Sequence, residues 1–131
     1  MKLRHLVEMM REDSNGAEGW PVLFASYRRN PGGEWHEVDG ARCPVTSVEV
    51  DNAAGEVLLV TASSRPPLLL TALVEELARL TPQHGESTVD CCDTPIAMDG
   101  GIFHIDVPIV GAGRDEGNRC YLVVFASEPS K

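Results

Sequence analysis

Between Ser47 and Leu80 the spacing of apolar residues changes period once, and the rest of the chain is organised around that change. Val48 and Val50 alternate with Ser47, Glu49 and Asp51, which is the two-residue period of a strand with one wet face. A second β-branched run, Glu56 to Thr61, follows across Asp51-Asn52-Ala53-Ala54-Gly55, where Asn, Asp and Gly supply the turn of a hairpin. In that run Val57 and Leu59 point one way while Leu58, Val60 and Ala62 point the other. Neither face is polar, so the strand belongs in the middle of a sheet. Beyond Pro66 the period lengthens. Leu69, Leu70, Leu73, Val74, Leu77 and Leu80 fall on one side of a helix, and Thr71, Glu75, Glu76 and Arg79 fall on the other. Arg65-Pro66-Pro67 predicts a helix start at about Pro67, because a residue before proline is pushed towards extended geometry and proline suits the first helical position. Thr81-Pro82 predicts its end.

Leu3, Leu6, Val7 and Met10 recur at helical spacing, which predicts a short amphipathic helix from about Lys2 to Glu12 that needs tertiary support. Trp20 to Arg29 reads as a strand closed by the turn cluster Asn30-Pro31-Gly32-Gly33, with Glu34 to Val38 returning beside it. Cys43-Pro44 opens the next extended segment. After the long helix, Ser87 to Cys92 reads as a strand and Asp93-Thr94-Pro95 as a break. Asp99-Gly100-Gly101 leads into a strand from Ile102 to Ile109, with Phe103, Ile105, Val107 and Ile109 on one face and His104 and Asp106 on the other. Gly111 to Asn118 (GAGRDEGN) reads as a mobile loop, and Cys120 to Ala126 as a second strand apolar on both faces. Ser127 to Lys131 reads as a flexible tail.

The expected order is helix, four strands, helix, three strands. That pattern predicts an α+β fold: a mainly antiparallel sheet of about five to seven strands packed on one central amphipathic helix, with a short N-terminal helix. No repeat or linker divides residues 1–131, so one domain is expected. With 131 residues, 43% hydrophobic and 24% charged, the chain has ordinary globular composition.

Charge narrows the partners. A formal net charge of −9 disfavours binding to a phosphate backbone, so no nucleic-acid partner is expected. No apolar run suggests a signal peptide or a membrane span, so a cytoplasmic protein with no membrane partner is expected. Cys43, Cys91, Cys92 and Cys120 are then expected as free thiols. Nine of the eleven basic residues are Arg, a codon-usage hint of a GC-rich bacterial genome.

Candidate chemistry is sparse. Cys91-Cys92 lacks the spacing that lets two thiolates converge on a metal or exchange a disulfide, and in a strand the two point to opposite faces. A nucleophilic Cys91 or Cys92 served by His84 or His104 and oriented by Asp90, Asp93 or Asp106 is chemically allowed, though no spacing selects it. His104 and Asp106 share a strand face, as metal ligands or an acid-base pair could, but a solvated polar face is the favoured account because no third and fourth ligand is apparent. Trp35, among the polar groups of a short strand, either caps the core or lines a pocket. GAGRDEG lacks a phosphate-loop pattern and precedes a strand rather than a helix. No metal site and no cofactor are expected.

Two functional readings follow. The first is a small acidic cytosolic binding or protein-interaction module, accessory or immunity-like. The second is a small enzyme or ligand-binding domain whose pocket between sheet and helix is lined by His104, Asp106 and a cysteine such as Cys91, with Trp35 as a further ligand-binding candidate. The two all-apolar strands need cover on both faces, which points to a homodimer packed through the sheet face or the N-terminal helix. The remaining partners the pattern allows are a protein or a small ligand.

Overall fold

Among the described residues two helices and ten strands appear in the order α1 (Leu3–Asp13), β1 (Val22–Arg29), β2 (Trp35–Glu37), β3 (Cys43–Pro44), β4 (Ser47–Asp51), β5 (Glu56–Thr61), α2 (Leu70–His84), β6 (Thr88–Asp93), β7 (Ile96–Met98), β8 (Gly101–Phe103), β9 (Asp106–Asp115) and β10 (Cys120–Ala126). This computed structural model describes residues 1–37, 42–51, 55–62, 65–93, 96–98, 101–103 and 106–126, with the side chains of 91–108 and of Ala126 left aside. Val38, the turn residues 52–54, the break at 94–95, Asp99-Gly100, His104, Ile105 and the tail 127–131 lie outside the described residues. The fold is α+β, as the periodicities predict.

Eight strands form one sheet in the order β2-β1-β10-β9-β6-β5-β4, with β3 also paired to β1; β7 and β8 form a separate hairpin. Six of the pairings are antiparallel and two, β1 with β10 and β5 with β6, are parallel. The parallel β5–β6 pair is joined by α2, a βαβ crossover inside a mainly antiparallel sheet. Both strands that are apolar on each face, β5 and β10, have neighbours on both sides.

The sheet curls strongly. The Val45 N–H donates to the Val22 carbonyl (3.0 Å), and the next amide, Thr46 N–H, donates to the Val60 carbonyl (2.8 Å). Two consecutive amides hold these carbonyls within about 10 Å of each other. In a flat sheet, four strand spacings would separate β1 from β5 by about 19 Å. The link forms because β3 lies on β1 and β4 lies on β5 with only two residues between them. The extended segment expected to begin at Cys43 is therefore two strands with different partners.

One face of the sheet carries both helices. Leu3, Leu6, Val7 and Met10 of α1 and Leu70, Leu73 and Leu77 of α2 join Val22, Phe24, Val57, Leu59, Val89, Ile109, Tyr121 and Val123 in a single buried cluster. Phe24 and Phe125 meet edge to face, with ring centroids 6.2 Å apart. The apolar stripe of α1 packs beside α2 on this face.

Element boundaries moved where tertiary pairing competed with local signals. Helix α2 begins at Leu70, after Leu69 has taken an extended conformation (φ −78°, ψ 152°) and bridged to Pro21, which leaves Leu69 exposed. It runs through Pro82 to His84. A proline costs most in a helix interior; here it sits in the last turn, where Thr81 Oγ1 donates to the Leu77 carbonyl (2.9 Å) and Gly85 N–H to that of Thr81 (2.8 Å). The strand expected over Ile102–Ile109 is divided between β8, which ends at Phe103, and β9, which starts at Asp106. The expected loop Gly111–Asn118 is mostly strand: Gly111, Gly113 and Asp115 pair with Val124, Leu122 and Cys120. Only the four residues after Asp115 turn, ending at Arg119 with φ 50°.

Candidate binding surface

Strand alternation places Leu23, Ala25 and Tyr27 of β1 and Cys120, Leu122 and Val124 of β10 on the face opposite the helices, where they form a second, smaller cluster. Direct cross-strand partners share a face. Trp35 pairs with Arg29 and Glu37 with Tyr27, so both β2 residues join this face. On β9 the partners of Val124 and Leu122 are Gly111 and Gly113, and an added Cβ at either glycine would meet nothing within 4 Å. The β9 side of this face is therefore low, bordered by the β10 ridge. Between Gly111 and Ile109 the register with β10 shifts, and Val110, the unmatched residue, stands 55% exposed. Such a bulge re-aims a side chain out of the ladder.

Tyr27, Trp35, Val110 and Val124 line a depression of about 360 Å³ across β1, β2, β9 and β10. Trp35 is 54% exposed and Tyr27 and Val124 are half-buried. Trp35 lines this depression and is not among the residues packed in either core cluster. A larger depression of about 470 Å³ at Arg4, Thr81, Gly85 and Glu86 is polar. Its charges satisfy one another, with Lys2 Nζ 2.6 Å and Arg4 Nη1 3.0 Å from the Glu86 carboxylate.

An ion cluster borders the Trp35 depression. Arg42 donates from Nε and Nη2 to the two Glu37 oxygens (2.7 and 2.9 Å), and its Nη1 lies 2.8 Å from Asp115 Oδ2 and 3.6 Å from Cys120 Sγ. The paired, fork-shaped contact to Glu37 is the strong geometry for Arg and a carboxylate. Arg42 holds the Glu37 carboxyl below its ordinary range. Asp115 is lowered first by the Asn118 amide, 2.8 Å away, and then by Arg42. Burial pushes the Cys120 thiol up, against the pull of Arg42, whereas a nucleophilic thiol needs the reverse. One guanidinium serves two ionised carboxylates, so the cluster keeps one negative charge.

The other residues singled out from sequence are placed only in part. Cys91 pairs with Leu59 and Val107, and Asp106 pairs with Cys92; the side chains of Cys91, Cys92 and Asp106, and the whole of His104, lie outside what the structure describes. Asp106 and Cys92 sit near the end of the sheet where β1 and β10 run out towards Tyr27 and Ala126, the same end as Trp35. His84 is the last residue of α2. Among the described residues no group of His, Cys, Asp or Glu is arranged to hold a metal ion, and no helix is long and apolar enough to cross a membrane.

Sequence reasoning passed over Val110, Glu37, Arg42 and Asp115, which act together only because β2, β3, β9 and β10 converge. Asp90, weighed from sequence only as an acid that could orient a His–Cys pair, is 4% exposed, and its Oδ1 has no hydrogen-bond partner among the described residues. At the far end of the β9–β10 hairpin Arg114 has a structural role. Its Nη1 donates to the Asp13 and Asn15 carbonyls (3.0 and 2.8 Å) at the C-terminus of α1, where a cation suits the helix dipole, and its guanidinium lies 4.8 Å over the Trp20 ring. Tyr121 Oη donates to Asp13 Oδ2 (2.9 Å) beside it.

The fold and this surface define a two-layer α+β protein with a curled mixed sheet, helices on one face and an aromatic depression on the other. No family model, no curated protein and no solved structure matches the chain.

Proposed function

We propose that the protein is a binding module of the accessory or immunity-like kind that meets a protein partner through the helix-free face of its sheet. The observation that carries the reading is the apolar stripe of Trp35, Tyr27, Val124 and Val110 across four strands, with Trp35 and Val110 each more than half exposed. Trp and Tyr concentrate binding energy in protein interfaces because each buries a large, stiff surface at small entropy cost. A small molecule fits less well: a pocket that buries most of a ligand needs walls, and this depression is a shallow trough at the lower end of ligand-pocket volumes. The reading includes a cytosolic setting, which the unbridged thiol of Cys120 suits.

Affinity capture with the full chain tests it. Wild type should retain a partner that Trp35→Ala and Val110→Asp lose, while all three proteins give the same circular-dichroism spectrum and unfolding midpoint. Retention of the same partner by both variants would mean that the stripe is not the binding surface.

A further inference from the structure

We infer that the partner seated on the Trp35 depression is a basic protein surface that projects an arginine side chain over the Trp35 ring, an inference that rests on reading this face as the binding surface. The depression joins two kinds of lining. Tyr27 and Trp35 line it with aromatic rings, whose faces attract a cation, and Val110 and Val124 line it with apolar surface. An arginine matches both, since its aliphatic stem packs on apolar surface while its planar head stacks on a ring.

Charge selects the same partner. Glu37 lies directly across from Tyr27, and the Glu37–Arg42–Asp115 cluster keeps one negative charge at neutral pH because both carboxyls are held below their ordinary range. The whole chain carries −9, a field that draws a basic partner in and speeds its encounter. Arg29, exposed and directly opposite Trp35, acts against this at the outer end of the stripe. The incoming cation is therefore oriented towards the Glu37 side of the ring. A second copy of the chain is a poorer occupant, because it brings another −9 and, about a two-fold axis through the depression, sets hollow against hollow.

The test titrates the isotope-labelled full chain with a short arginine-serine peptide, its lysine counterpart and its glutamate counterpart, and reads resonances of the Trp35 indole and the Val110 and Val124 methyls. The arginine peptide should shift these signals, bind more tightly than the lysine peptide and weaken several-fold as salt is raised. Trp35→Ala should weaken it by roughly two- to thirtyfold, the span of a cation–π contact. Arg29→Ala should tighten it, and Glu75→Gln on the outer face of α2 should leave it unchanged. Equal binding by the glutamate peptide, an affinity unaltered in Trp35→Ala, or shifts confined to other surfaces would overturn the arginine assignment. A mass of twice 14.2 kDa in light scattering, with the Trp35 indole signal dependent on protein concentration, would make the occupant a second copy: the basic partner would fall and the binding face would stand. If no peptide and no self-association perturbs the Trp35 signals, the binding face falls as well.

Discussion

The two faces of the sheet are built from alternate residues of the same strands, yet they do different work. On the helix side Val22 and Phe24 of β1 and Tyr121 and Val123 of β10 are closed under Leu6, Met10, Leu73 and Leu77. One strand position away, Leu23, Tyr27 and Val124 are only partly buried, and the face they share runs out into exposed Trp35 and Val110. The first face is sealed by apolar contact, with Tyr121 Oη and Arg114 bonded to the end of α1 at its margin. The second is finished by the Arg42 ion cluster, two bare glycine positions and a bulge. Apolar area that contributes to stability is hidden, whereas apolar area left at a rim is available to a partner.

Substitutions that separate the faces should differ in size. Leu77→Ala removes a fully buried side chain at the α2–sheet contact and should cost about 2–5 kcal/mol; an unchanged denaturation midpoint would mean that α2 does not seal its face. Asp90→Leu should act in the opposite direction. Its carboxylate is buried, level with Leu58 and Pro108 in the sheet, and one oxygen has no partner among the described residues, so an apolar replacement should stabilise by about 1–3 kcal/mol, and a fall in the midpoint would show that the carboxylate has a use in the folded state.

Arg42→Met should destabilise by about 1 kcal/mol at pH 7, through the half-buried pair with Glu37. Because the folded Glu37 pKa lies below its ordinary value of 4.5, this contribution is present above that value and is lost as pH falls through the folded pKa. Wild type and variant should thus converge in acid, as urea titrations at pH 7 and pH 3 would show; a constant gap would detach the effect from the ion pair. Trp35→Ala should change stability least, by about 0.5 kcal/mol or less, as befits an exposed side chain outside the core. A loss near that of Leu77→Ala would make Trp35 part of the core and end the contrast between the faces.

What was legible in the sequence was whatever a short window decides. The two-residue period of Ser47–Asp51 and the helical period of Leu70, Leu73 and Leu77 depend on neighbours a few positions away, so both elements and their buried sides could be read directly. The all-apolar strands β5 and β10 announced interior positions for the same reason. Trp35 was visible as an aromatic among polar residues, although its role was open between core and pocket.

Only the tertiary structure decided the remainder, because it depends on which distant segments pair. Gly111 and Gly113 carry no strand signal of their own and are strand because β10 lies beside them. Helix α2 continues past Pro82 because its final turn is held by Thr81 and Gly85 rather than by a proline amide. Arg42, Glu37, Asp115 and Cys120 span 84 positions of sequence, and meet only because the sheet brings β2, β3 and the β9–β10 hairpin together. Local periodicity determined which residues are apolar on which side of each element. Strand order, curl and the single face shared by both helices determined which of those sides is closed and which is left open.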